Sequence, residues 1–375
     1  MKPTLKFQRW NFWVWCFAVL MTGGIYASYV RLVHGIDHAF SNVFPWGLIT
    51  GLNVLCGIAI ATGGFTIAAS IYVLNLEGYR PMVRASLVMS FLGYVVAVLG
   101  IVSSPGRTAF QMGTWDSHSI LYGIAWAFIL SGAVLLLEFA PDLWRHFGGR
   151  EPPHWARFLN MPLLFIAVVF SVLYQTSLAD LLQSLPEKVS PLWSTPQLPF
   201  FFFVSAVCAG LAVIIFASWH INAVSGKGLS PERVTGLGKV LAALLFLYLG
   251  VRIADLVYRG IPLLVWKNSP ENVLLGLEMG LILLPIVLLI DQSKKSPRMV
   301  YLCSGMVLAG LITNRLNTCI TSVEAAMNSR YLPGWSEFLV AYSIVGLGVA
   351  AFNLIAKRLP LFLETAGRTE ASAKE

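Results

Sequence analysis

The chain has 375 residues, 57% of them hydrophobic and 12% charged, with a formal net charge of +8 and a mean hydropathy of +0.72. That balance excludes a soluble globular protein, whose surface needs far more charge, and fits a polytopic all-α membrane protein. The positive charge is explained by loop placement and calls for no nucleic-acid partner.

Lys2, Lys6 and Arg9 lead into a first apolar segment without a small-residue cleavage site, which reads as a retained span. A helix needs about 20 apolar residues to cross the hydrocarbon core. The pattern predicts spans at 11–33, 47–76, 84–104, 116–140, 158–180, 198–222, 236–258, 271–291, 299–320 and 337–357. The second is long enough to tilt or to project beyond the bilayer. Its Gly57, Ala61, Gly64 and Ala68 mark a face where a neighbouring helix can approach closely. Pro162 and Pro199 fall near predicted span starts, where a missing N–H costs little. Of the loops, only 141–157 and 181–197 are long enough for a small element of their own, and the tail after Arg358 is short and polar.

Lys and Arg gather at the N-terminus, in the even-numbered loops and in the C-terminal segment. The odd-numbered loops keep only Arg107, Lys188, Arg259, Lys267 and Arg330. This asymmetry predicts both termini in the cytoplasm. An ionisable group in hydrocarbon is costly, so those within the spans carry information. Trp115, Asp116 and His118 open span four at the predicted outer face. Tyr174, Gln175, Thr176 and Ser177 close span five at the same depth, with Asp180 further out. Arg252 and Asp255 end span seven, Glu271 and Glu278 begin span eight, and Asn314, Arg315 and Asn317 end span nine. Arg252 with Asp255, and Arg315 with Glu278, are expected to neutralise each other. His118 and the Tyr174–Ser177 run are mixed donors and acceptors, which suits the two carbonyls and the protons of a quinone head group.

The five cysteines, Cys16, Cys56, Cys208, Cys303 and Cys319, sit in apolar segments without C-x-x-C spacing, so no iron–sulfur cluster or zinc site is expected. Metal ligation is not expected anywhere in the chain. Paired axial ligation of a haem is not expected either. His118 and His220 fall at opposite ends of their spans, about 30 Å apart, and His34, His38, His146 and His154 are loop residues.

Several short runs occur in order along the chain. They are Phe44-Pro45-Trp46-Gly47, Gly63-Gly64, Gly78-Tyr79-Arg80-Pro81-Met82-Val83-Arg84, Phe91-Leu92-Gly93-Tyr94, Leu137-Glu138-Phe139-Ala140-Pro141, Pro191-Leu192-Trp193, Tyr258-Arg259 and Pro333-x-Trp335-x-Glu337. Together they resemble the NrfD-like family, most of all its HybB-type branch, the membrane subunit of hydrogenase-2-like uptake hydrogenases. The likeness runs nearly the full length. It implies one integral membrane domain, 1–375, with two four-helix bundles: the first within 11–180, the second within 198–357 beside the last helix. It also implies a haem-free subunit of the bacterial inner membrane that exchanges electrons with menaquinone or ubiquinone. Electrons would pass through a periplasmic four-cluster ferredoxin-like iron–sulfur subunit that serves a catalytic subunit. The branch carries His-Gln-Ser-Ser where this chain has Tyr174-Gln175-Thr176-Ser177, and glutamates where it has Gly123 and Ala217.

On these grounds the expected site comprises His118 as proton or hydrogen-bond donor, Tyr174 and Gln175 as hydrogen-bond partners, and Asp180 as a relay to the periplasm. Tyr94, Arg107, Trp115 and Ser177 are the supporting binding groups. The competing readings are a membrane anchor without quinone turnover and, further off, a secondary transporter, for which no inverted repeat is evident.

Overall fold

The computed structural model describes residues 5–34, 46–104, 120–148, 154–183, 188–225, 228–261, 269–290, 296–359 and 361–362. Among these residues there is no strand, and a helix occupies each of the ten predicted spans. The long helices are α1 (Leu5–His34), α2 (Cys56–Val73), α3 (Val83–Ser103), α4 (Ile120–Gly148), α5 (His154–Gln183), α6 (Leu198–Ser225), α7 (Pro231–Tyr258), α8 (Pro270–Ile290) and α9 (Pro297–Leu316). After α9 come the short α10 (Ser322–Met327) and the long α11 (Trp335–Arg358). Eight helical stretches among the described residues are long and apolar enough to cross a membrane. This is a multi-pass membrane protein.

Local signals set the helix ends. Ser296 caps α9, its hydroxyl accepting the Met299 N–H, and Pro297 follows at the first helical position, where its missing N–H is harmless. Gly260, at φ +68°, stops α7, and Asn328, at φ 46°, stops α10 in the left-handed conformation that glycine and asparagine tolerate. Two differences from the sequence pattern stand out. α5 begins at His154, so Pro162 lies inside the helix rather than at its start. The unusual length of span two is spent on a π-helical segment, Thr50–Leu55, that leads into α2. A second π segment, Asn317–Thr321, continues α9 into α10. The two π segments meet: a Cβ on Gly51 would lie 2.7 Å from Cys319 Sγ. Such wide turns frequently sit at functional sites.

α2, α3, α4 and α5 close one four-helix ring, and α6, α7, α8 and α9 close another. α2 and α6 form the main contact between rings, while α1 pairs with α11, which leans on α3. Without a hydrophobic driving force between helices in lipid, such contacts rely on close packing. Gly57 and Gly93 oppose each other across α2 and α3, where a Cβ on Gly57 would stand 2.7 Å from the Gly93 carbonyl. Gly63 does the same across the rings, its Cα against the Ala206 carbonyl and Gly210 of α6. Large apolar side chains such as Phe246, Leu247 and Ile253 on α7 remain exposed, as a lipid-facing surface requires.

Candidate functional site

Buried polar side chains concentrate at one end of the bundle, where α2, α8 and α11 begin and α3, α5, α7 and α9 finish. In the first ring they are neutral. Tyr94 of α3 is wholly buried, and its hydroxyl shares a 2.7 Å hydrogen bond with Ser171 Oγ of α5. The Ser171 carbonyl accepts the Thr62 hydroxyl of α2 at 3.2 Å. One turn further along α5, Gln175 is 1% exposed, and its Nε2 donates to the Phe202 carbonyl of α6 at 3.2 Å. Among the described residues its Oε1 has no hydrogen-bond partner. Tyr174 stacks on Phe170 with ring centroids 5.9 Å apart, Ser177 is half-buried, and Asp180 is exposed. The expected residues of α3 and α5 therefore divide. Tyr94 and Gln175 face the ring interior, Tyr174 and Ser177 lie at its margin, and Asp180 points away. Arg107, Trp115 and His118 lie outside the described residues.

The second ring buries charge. Glu278 of α8 is fully enclosed and accepts three neutral donors: Trp193 Nε1 at 3.1 Å, Asn314 Nδ2 at 2.8 Å and Asn317 Nδ2 at 3.0 Å. The expected contact between Arg315 and Glu278 is indirect. Arg315 donates to Asn314 Oδ1 at 2.7 Å, and Asn314 passes the link to the carboxylate. The guanidinium also donates to the Phe202 carbonyl at 3.2 Å and to Ser205 Oγ at 2.9 Å, and lies 3.7 Å above the Phe202 ring. These contacts offset the cost of burying the charge, although Arg315 Nε has no hydrogen-bond partner among the described residues.

Arg252 and Asp255 do approach each other, at 3.9 Å, but Arg259 holds that carboxylate more closely, at 2.7 Å. Arg259 also donates to the Pro191 and Ser194 carbonyls, and Arg252 to the Leu192 carbonyl. The 188–197 loop is thereby clamped over the second ring with Trp193 beneath it. The sequence reading missed Trp193, Asn314 and Asn317 as partners, although a glutamate inside an apolar span signals that partners must exist. It also missed Ser171, three residues before the polar run.

A third polar corner joins α1, the first π segment and α11. Arg31 is 4% exposed and donates to the Ser104 carbonyl at 3.1 Å; Glu337 is 1% exposed and accepts the Ile49 N–H at 3.3 Å. Asn53 bridges to the Ala341 carbonyl at 3.0 Å. Tyr331 accepts the Leu48 N–H at 2.9 Å, and burial, then its hydrogen bond to Glu337, push the phenol's pKa upward. At the opposite end of the bundle, Tyr72 donates to Glu138 at 3.2 Å, and His220 Nε2 lies 3.3 Å from the Tyr301 hydroxyl in a cluster with Phe216.

No family model matches the chain. A protein of Escherichia coli K12 named probable Ni/Fe-hydrogenase 2 b-type cytochrome subunit is 28% identical over 345 residues, spanning 88% of this chain and 87% of its own length. The integral membrane subunit of a menaquinone reductase of Nitratidesulfovibrio vulgaris is 23% identical over 399 residues, spanning 96% and 93%. A further protein of that organism is 27% identical over 377 residues, spanning 92% and 93%.

The first of these names corrects one expectation. A b-type cytochrome is a haem protein, so a relative of this extent overturns the reading of the chain as haem-free. His38 and His118 lie outside the described residues, and the side chains of His34, His146 and His154 are not described either. Of the six histidines only His220 has a described side chain, and it is engaged with Tyr301. Among the described residues no second histidine lies against it; its neighbours are Phe216 and Tyr301. Along nearly its whole length the chain is a homologue of a subunit of a Ni/Fe-hydrogenase and of the integral membrane subunit of a menaquinone reductase, which is consistent with the resemblance of its motifs to the NrfD-like family and its HybB-type branch.

Proposed function

We propose that this protein is the quinone-reactive membrane subunit of a respiratory oxidoreductase complex in the bacterial inner membrane, with both termini in the cytoplasm. It exchanges electrons between membrane quinone and a periplasmic four-cluster iron–sulfur subunit, which serves a catalytic subunit. The observation that carries the reading is the neutral polar face inside the first ring: the Tyr94–Ser171 pair with Gln175 one turn away. Hydroxyls that can rotate between donor and acceptor roles suit a head group that alternates between carbonyl and hydroxyl. The full-length likeness to a menaquinone reductase subunit supports the same reading.

In this reading Tyr94 and Tyr174 hydrogen-bond the head group, and Ser177 lines its margin. The exposed Asp180 exchanges protons with the aqueous face. His118, Arg107 and Trp115 complete the site on sequence grounds. The test is the Tyr174→Phe, Gln175→Leu double variant in the purified complex. Quinone-linked electron transfer is expected to stop while subunit assembly persists; unchanged kinetics would remove both residues from the site. Extraction of the wild-type complex for stoichiometric quinone separates this function from that of a bare anchor.

A further inference from the structure

Gln175 offers a ligand only one kind of contact, and a residue of the other ring decides which. Three side-chain donors converge on the Phe202 carbonyl: Gln175 Nε2 from α5 at 3.2 Å, Arg315 from α9 at 3.2 Å and Ser205 Oγ from α6 at 3.1 Å. A side-chain amide turned end over end would set Oε1 against that carbonyl, oxygen on oxygen. The amide is therefore held with its N–H toward α6 and its carbonyl oxygen away from it. Arg315 shares that acceptor and is itself tied to Asn314 and stacked on the Phe202 ring. What remains is a buried Oε1 without a partner among the described residues, on the α5 face that also carries Ser171 and, across from it, Tyr94. A buried acceptor left unsatisfied is costly, and a donor on a ligand relieves that cost.

Resting on the quinone reading above, we propose that Gln175 Oε1 is a subsite for the reduced, hydroxyl-bearing form of the substrate, with the Phe202 carbonyl of α6 fixing the amide's orientation. A quinone carries two carbonyl oxygens and needs donors, so it gains nothing from Oε1. A quinol carries two hydroxyls, one of which donates to it. Two electrons and two protons separate the two forms, and a site that holds the quinol more tightly favours reduction of bound quinone. The preference is thus set in the first ring and maintained from the second.

The experiment compares binding of a short-chain naphthoquinone and of its naphthoquinol to the detergent-purified complex, the latter under anaerobic reducing conditions. Gln175→Met keeps volume and removes the acceptor. It is expected to weaken naphthoquinol binding about tenfold while naphthoquinone binding stays within about twofold. Measuring both ligands on one preparation cancels any loss of folded protein. Equal weakening of both forms, or an unchanged ratio in Gln175→Met, would overturn the subsite. If the wild-type complex binds neither form, the quinone reading itself falls, and the subsite with it.

Discussion

The two four-helix rings bury different chemistry at the same end of the molecule. Inside the first, the enclosed polar groups among the described residues at that end are Thr62, Tyr94, Ser171 and Gln175, all neutral. Inside the second they include Arg252, Glu278 and Arg315, each fully enclosed and held by amides, an indole or backbone carbonyls. A neutral hydroxyl can turn from one partner to another; in the Tyr94–Ser171 pair, for example, either hydroxyl can be the donor. A buried charge cannot lose a partner without a large loss of stability. The first ring is therefore the one able to admit and release a polar ligand, and the second is the one able to stay still while it does so. The link between them is narrow: the α2–α6 glycine contact and the Phe202 carbonyl that Gln175 and Arg315 share.

The largest effect should come from breaking the charged ring. Arg315→Met leaves Glu278 enclosed without its nearby cation and is expected to lower stability by about 3–5 kcal/mol, measured by thermal unfolding in detergent. Adding Glu278→Leu should recover much of that loss, and a purely additive double variant would mean that the two charges do not share a network. Next comes the contact between rings. Gly63→Ala puts a methyl against the Ala206 carbonyl and should cost about 1–3 kcal/mol, read as a lower unfolding midpoint. An unaffected midpoint would mean that the rings pack less tightly than the structure has them.

Smaller effects separate function from stability in the neutral ring. Tyr94→Phe removes one hydrogen bond to Ser171 and should cost about 1 kcal/mol in stability, while quinone-linked turnover falls more steeply. Parallel losses in the two assays would make Tyr94 a packing residue. Asp180→Asn, at an exposed position, should change stability by less than about 0.5 kcal/mol. Its effect is expected in proton-coupled turnover alone, and no change in turnover would take it out of the relay.

The number, order and approximate ends of the ten helices were legible in the chain because twenty-odd apolar residues between polar loops have one outcome in a bilayer. The small residues of span two likewise announced a close helix contact, and Gly57 and Gly64 do meet α3. The depth at which polar side chains gather was also readable, since helix rise converts sequence position into height. Rotation about each helix was less readable in spans this uniformly apolar, which is why Tyr174, Gln175 and Asp180, close in sequence, separate into margin, interior and outside.

Pairing required the tertiary structure most of all. Asp255 has both Arg252 and Arg259 within reach on its own helix, and only the fold of the 188–197 loop explains why Arg259 takes the closer place. Glu278 needed partners from two segments far apart in the chain, Trp193 in the 188–197 loop and Asn314 and Asn317 at the end of α9, and Arg315 reached it only through Asn314. Local spacing says which charges are near along a helix. Which of them meet, and through what, depends on neighbours far away in the chain that only packing brings together.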